Sequence, residues 1–427
     1  MHLSHRRVHP ARICAVALLS TAACGLVVAC SSAPVTGSTS TDDAGGVGAQ
    51  DGALGSSKDG STLVGSDAGG NIGGSDGSTS PDMLEGWQRV KPGGDTLCSD
   101  GSPYSFYLRK GASNRVVVHF EGGGACWDHE SCSLPGLAYT PEVSESAFPF
   151  VGALRPSSIQ GTFNQTKSES LFKDWTMLFV PYCTGDIHWG AKDTTYYSDG
   201  VSKDPKTIRH HGAANARAAL NFLYAAVPSP EKVFVTGESA GGYGAALWAP
   251  YIRKQYAAPA QVYQLSDSSA GVLADGFFTT LQSAWNFQAL LPSFVPAFSD
   301  PTKVDSLAKI FNGIGAYEGN ALKLNMYNTS YDETQILFYA AQADNVTPQL
   351  WNTKMREQVA NIQAASPTFR ALTAANYVHT ILTSNAFYTQ KTNGVTMHDW
   401  VSDMVNDVAL SNVDCKTTNT CGTAKQP

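Results

Sequence analysis

The chain has 427 residues, with 29 Lys and Arg against 36 Asp and Glu, for a formal net charge of −7. That balance offers no basic field for nucleic acid, and no Lys/Arg stripe with interleaved aromatics is present to bind it. Hydrophobic residues make up 42% of the chain, enough for a large core, but large apolar side chains are sparse in one long stretch near the N-terminus.

Residues 1–29 read as an export leader. Arg6, Arg7 and Arg12 form a positive region, and the apolar stretch up to Ala29 is short for a membrane span. It ends Val27-Val28-Ala29-Cys30, a bacterial lipobox pattern, so cleavage is expected to leave Cys30 as a lipidated N-terminus on the cell envelope. That lipid is the only membrane attachment expected. From 30 to 80 the composition falls to Ser, Gly, Thr, Asp and Ala, which cannot bury enough surface to offset chain entropy, and the segment reads as a flexible tether. The folded domain is then expected over 81–427, as one α/β unit with insertions and as a monomer. Six cysteines remain outside the leader and Cys30: Cys98, Cys126, Cys132, Cys183, Cys415 and Cys421. An even number in an exported chain favours three disulfides over metal binding or thiol catalysis.

Strand-like apolar runs recur at 105–108, 115–120, 176–181, 232–236, 261–265 and 322–328, and the alanine-rich run 213–224 has helical spacing. Alternating strands and helices imply an open, mostly parallel sheet. The aromatic and proline-rich stretch 280–320 reads as a lid or pocket wall.

Two glycine-rich turns carry the chemistry. Lys232-Val-Phe-Val-Thr-Gly-Glu-Ser-Ala-Gly241 is a strand that runs into Gly-x-Ser-x-Gly and then a small-residue helix, the context of a nucleophile elbow that would expose the Ser239 hydroxyl. Upstream, the strand Arg115-Val-Val-Val-His-Phe120 leads directly into Glu121-Gly-Gly-Gly-Ala125. In serine hydrolases with a strand–turn–helix elbow, such a loop and the residue after the nucleophile together supply the oxyanion hole. Gly123, Gly124 and Ala240 are therefore the expected donors.

A serine hydroxyl needs a histidine to take its proton and a carboxylate to orient that histidine. In the chain order Ser, acid, His, only His379 and His398 follow Ser239. His379 ends a short apolar run, as a loop base would, whereas His398 opens a late helical pattern. Asp332 and Asp344 both follow apolar runs, and spacing does not choose between them. His210-His211 could suggest a metal, but adjacent side chains diverge and no carboxylate cluster accompanies them, so neither metal nor cofactor is expected.

Five motifs in order, Cys98-Ser-Asp-Gly-Ser-Pro-Tyr, Phe120-Glu-Gly-Gly-Gly-Ala-Cys-Trp127, Val180-Pro-Tyr-Cys-Thr-Gly-Asp186, Gly237-Glu-Ser-Ala-Gly-Gly-Tyr-Gly244 and Tyr331-Asp-Glu-Thr-Gln335, resemble the pectin acetylesterase/Notum family of serine carboxylesterases. The resemblance covers about 95 to 380. It implies an α/β-hydrolase fold and ester hydrolysis through an acyl-enzyme without a metal, with Ser239 as nucleophile, Asp332 of Tyr-Asp-x-x-Gln as acid and His379 as base. It also implies the pairing Cys98–Cys183, beside short loops closed by Cys126–Cys132 and Cys415–Cys421. The chain departs from the family where a Cys commonly stands just before the base, here Asn376-Tyr-Val. Plant members are associated with pectin acetyl esters and animal Notum with a lipid ester, and the expectation here is an O-acyl ester, acetyl in particular, on a polysaccharide. The rival expectations are an esterase for lipid-type acyl groups and a catalytically silent binding protein on the same scaffold. His188 and Trp189, after the third strand, are expected to line the substrate pocket, and Ser266-Asp-Ser-Ser269 to form loop structure beside it.

Overall fold

In the computed structural model, which describes residues 86–143, 160–317 and 322–424, the apolar runs become the strands of one twisted sheet. The leader, Cys30 and the tether to residue 80 lie outside the described residues. The strands are β1 (Trp87–Val90), β2 (Phe106–Arg109), β3 (Arg115–Phe120), β4 (Thr176–Val180), β5 (Lys192–Tyr196), β6 (Lys206–His210), β7 (Lys232–Glu238), β8 (Gln261–Asp267), β9 (Leu322–Thr329), β10 (Arg370–Ala374), β11 (Lys391–Thr392), β12 (Val395–Thr396) and β13 (Val413–Asp414). The helices are α1 (His129–Cys132), α2 (Gly212–Ala226), α3 (Ala240–Gln255), α4 (Phe277–Trp285), α5 (Leu307–Gly315), α6 (Glu333–Ala340), α7 (Pro348–Ala365), α8 (Ala386–Thr389) and α9 (Met397–Val405).

The sheet order is β1-β2-β4-β3-β7-β8-β9-β10-β13, antiparallel from β1 to β4 and parallel from β4 onward. Val116, Val117, Val118 and Phe120 of β3 are all buried, because helices cover both faces and a strand so placed needs no polar alternation. On one face Leu220, Leu247, Ile310, Met355 and Ile362 close the core. On the other, Trp400, Val401 and Met404 of α9 pack with Phe234, Tyr263 and Leu372. The predicted strands match β2, β3, β4, β7, β8 and β9, and the predicted helix matches α2. Sequence reading misses β10, a short Arg-Ala-Leu-Thr-Ala run with little β-branched character, and the β5/β6 hairpin, whose partly exposed residues keep it polar.

The parallel register places the functional loops. Phe120 pairs with Gly237, Glu238 with Asp267, Asp267 with Tyr327, and Thr329 with Ala374. The carboxyl ends of β3, β7, β8, β9 and β10 therefore open onto one edge, where ligands of open α/β sheets bind. The disulfides Cys98–Cys183, Cys126–Cys132 and Cys415–Cys421 are formed as expected, the first tying the approach to β2 to the loop after β4.

Candidate active site

At the end of β7 the chain turns into α3 through Ser239, which has φ 54° and ψ −124°. A non-glycine residue in that region carries strain of roughly 1–3 kcal/mol, held only when the surroundings determine it. Here they do. The Ser239 N–H donates to the Asp267 carbonyl at 2.8 Å, and its carbonyl accepts from Ser269 Oγ at 2.6 Å and from Gly242 N–H at 3.0 Å. A Cβ on Gly241 would collide with the Phe120 carbonyl, and one on Gly237 would lie 2.5 Å from it, which explains why small residues flank the serine.

The Gly-rich loop after β3 crosses in front of this turn. Thr140 N–H donates to the Gly123 carbonyl and Ala125 N–H to the Ala138 carbonyl, fixing the loop from outside. Gly122 N–H donates to Glu238 Oε1 at 3.3 Å. Gly124 has φ 78°, and a Cβ there would strike the Ala138 carbonyl. Gly124 and Ala240 share one pocket with Ser239 and His379.

Asp332 and His379 meet at the ends of the next loops. Both carboxylate oxygens of Asp332 lie 2.9 Å from His379 Nδ1, so Nδ1 carries the proton that they accept. Asp332 is fully buried and also caps α6, accepting Gln335 N–H at 2.9 Å on Oδ1 and Gln335 Nε2–H at 3.0 Å on Oδ2. Burial would lower the His379 pKa, but the Asp332 carboxylate, with Asp267 and Glu238 behind it, holds the ring above the ordinary imidazole value. His379 Nε2 is closed off from solvent without a hydrogen-bond partner, the nitrogen that would be free to take a proton. Asp344 is exposed in the turn after α6, so geometry decides the choice that spacing left open.

The pocket holds about 660 Å³ of empty space, part of it open to solvent. Trp127, Phe277, Leu281, Trp285, Phe338 and Trp351 form its apolar walls, and Trp285 is fixed by Nε1–H donation to the Cys126 carbonyl at 2.9 Å. The 280–320 stretch is thus partly pocket wall, through Leu281, Trp285 and Leu307, while Phe287 and Phe298 are core.

His188 and Trp189 do not line it. Ile187 and His188 both have positive φ, and the turn sends Ile187 to the pocket while the other two go inward. His188 is buried, donates from Nε2 to the Glu121 carbonyl at 2.9 Å and has its pKa pushed down to about 4 by burial. Trp189 is fully buried, its Nε1–H on the Tyr243 carbonyl at 3.0 Å. His210 is likewise internal, between the Thr184 carbonyl and Tyr196 Oη, while His211 turns to Asp193 and the Asp95 carbonyl, so the pair does not converge. His398 bonds Asp399 and the Glu169 carbonyl away from the site. Sequence reasoning passed over Gln335, whose amide both donates to Asp332 and accepts Ala270 N–H at 2.9 Å. The signal was there, as the last letter of Tyr-Asp-x-x-Gln.

A family model described as Pectinacetylesterase matches residues 89–395. The palmitoleoyl-protein carboxylesterase Notum of Drosophila melanogaster is 25% identical over 342 residues, covering 73% of this chain and 45% of that protein. Palmitoleoyl-protein carboxylesterase notum1 of Xenopus laevis is 28% identical over 153 residues, 35% of this chain and 29% of the relative. Pectin acetylesterase 4 of Arabidopsis thaliana is 26% identical over 179 residues, 40% of each. The chain thus spans less than half the length of these relatives. A crystal structure of the Wnt deacylase Notum from Drosophila superposes with a TM-score of 0.57 at 20% sequence identity, over 76% of this chain and 95% of that one. That likeness, with the sheet order above, gives the fold as α/β-hydrolase.

Proposed function

The chain belongs to the pectinacetylesterase family, and from that premise we propose that it is an exported serine carboxylesterase acting on an O-acyl ester through an acyl-enzyme. The observation that carries this reading is the buried Asp332 carboxylate on His379 Nδ1, in a pocket that also holds the strained Ser239. Ser239 Oγ attacks the ester carbonyl carbon as His379 Nε2 takes its proton. Gly123, Gly124 and Ala240 N–H groups receive the oxyanion. The tetrahedral intermediate expels the alcohol, which takes the proton from His379, and water repeats the sequence on the acyl-serine to release the acid. Asp332 holds the productive tautomer and supports the imidazolium that forms.

The apolar pocket supports an acyl chain of several carbons, longer than the acetyl expected from sequence. Each methylene buried there is worth about 0.8 kcal/mol. A second reading, acetyl esters of a polysaccharide, is favoured by the family model. The three disulfides suit an oxidising compartment and support the export reading of the leader, with the lipid on Cys30 as anchor. Chromogenic acetyl, butyryl and octanoyl esters assayed with the wild-type protein and Ser239→Ala test the proposal. Loss of turnover in the variant with its fold intact is expected. Turnover within tenfold of wild type would overturn it.

A further inference from the structure

We propose that Asp267 is a positioning residue that locks the base loop onto the nucleophile turn. The inference rests on the reading of Ser239 and His379 given above. Asp267 ends β8, is fully buried, and touches both sides of the site through different atoms. Its carbonyl accepts the Ser239 N–H at 2.8 Å. Its Oδ2 accepts the N–H groups of Ile381 at 2.8 Å and Leu382 at 2.9 Å, the residues just beyond His379 and Thr380. The Ser268 hydroxyl continues the link, donating to Asp267 Oδ1 at 3.0 Å while accepting Thr380 N–H at 3.1 Å.

Three consecutive backbone N–H groups of the base loop, at residues 380, 381 and 382, thus end on two side chains of one strand terminus. Ser268 and Thr380 both adopt positive φ, at 56° and 65°, so each half of the junction depends on the other to hold its turn. Ser269 Oγ completes the arrangement on the Ser239 carbonyl. The distance between nucleophile and base is therefore set by one short segment, 267–269. Asp332 fixes the ring's orientation; Asp267 fixes where the ring's backbone stands.

The carboxyl of Asp267 also acts through charge. Burial pushes its pKa up to about 6, against the Ile381 and Leu382 N–H groups that favour the ionised form, with Glu238 raising it further and His379 lowering it. In the neutral range it is largely ionised and, with Asp332 and Glu238, stabilises protonated His379.

Two variants separate position from charge. Asp267→Ala removes all three side-chain links, and a misplacement of the base by about 1 Å is worth on the order of a hundredfold. Its kcat on a chromogenic ester should fall at least tenfold with KM within about twofold of wild type. Asp267→Asn can still accept Ile381 and Leu382 N–H through its amide oxygen while its NH₂ donates to Ser268 Oγ. It should recover most of the lost kcat and shift the acid limb of kcat/KM to lower pH, because one negative charge near His379 is gone. The inference is overturned if folded Asp267→Ala keeps its kcat, if Asp267→Asn is as damaged as the alanine variant, or if its acid limb does not move. Should Asp267→Ala fail to fold, the asparagine variant decides alone. Ser239→Ala run alongside separates the two levels: its activity would sink the nucleophile reading, whereas an inactive Ser239→Ala beside an unaffected Asp267→Ala would sink only the positioning role.

Discussion

Replacing Asp332 by Asn keeps the shape of the side chain but cannot keep its hydrogen bonds. Three donors converge on the two oxygens: Gln335 N–H on Oδ1, Gln335 Nε2–H on Oδ2, and His379 Nδ1–H on both. Whichever way the new amide turns, its NH₂ faces a donor. Gln335 cannot rotate its own amide to relieve this without surrendering the Ala270 N–H bond on Oε1. With the NH₂ toward Gln335 Nε2 or N, a buried donor goes unsatisfied at roughly 1–3 kcal/mol. With the NH₂ toward the ring, Nδ1 must become the acceptor, Nε2 takes the proton, and the base is lost. We expect kcat on a chromogenic ester to fall by about 10³–10⁴, which is roughly 4–5.5 kcal/mol at 1.36 kcal/mol per tenfold, with KM little changed. Steady-state kinetics on protein whose fold is checked by circular dichroism reads this directly. A folded Asp332→Asn variant within tenfold of wild type would mean that Asp332 does not orient the base, and the exposed Asp344 changed to Asn serves as the control that should lose nothing.

Because Asp332 raises the His379 pKa and the base must be neutral to act, kcat/KM should fall on the acid side with a midpoint above about 6.5, the ordinary imidazole value, and a midpoint below 6 would contradict the geometry. Burial pushes the Glu121 carboxyl up to about 8, against the Tyr182 N–H on Oε2 that favours its ionised form. The folded state therefore binds more protons than the unfolded chain between about pH 4.5 and 8, so stability from this group is present at low pH and lost as pH rises. Glu121→Gln should lose this contribution, so the melting temperature of wild type relative to the variant should fall across that window; a difference that stays constant with pH would refute the assignment. Across straight-chain esters from acetyl to hexanoyl, kcat/KM should rise by about two- to fourfold per methylene, given about 0.8 kcal/mol for each buried. Trp285→Ala, which opens the pocket wall, should displace the optimum to longer chains, and an acetyl optimum in wild type would favour the second reading.

How far the sequence carried the fold depended on how each element earns its place. β3 and β7 are covered on both faces and declare themselves through their Val-Val-Val and Val-Phe-Val runs. β10 does not, because its pairing with β9 and β13 is a matter of long-range register rather than local pattern. Ser239 and its glycines were legible because the turn admits so few residues. His188 misled for the opposite reason: a histidine after a strand end looks the same whether the backbone sends it into the pocket or, as two positive-φ residues here dictate, behind it. Asp267 was legible only as one letter of the Ser266-Asp-Ser-Ser269 run beside the pocket. Its importance lies in backbone N–H groups more than a hundred residues away along the chain, which no local pattern records.

The central claim is that Ser239 is the nucleophile, and labelling with a fluorophosphonate tests it most directly. Intact-protein mass spectrometry should show one adduct per chain, peptide mapping should place it on Ser239, and prior incubation with a slow ester substrate should protect the site. An adduct on another residue, or undiminished labelling and turnover in Ser239→Ala, would contradict the account.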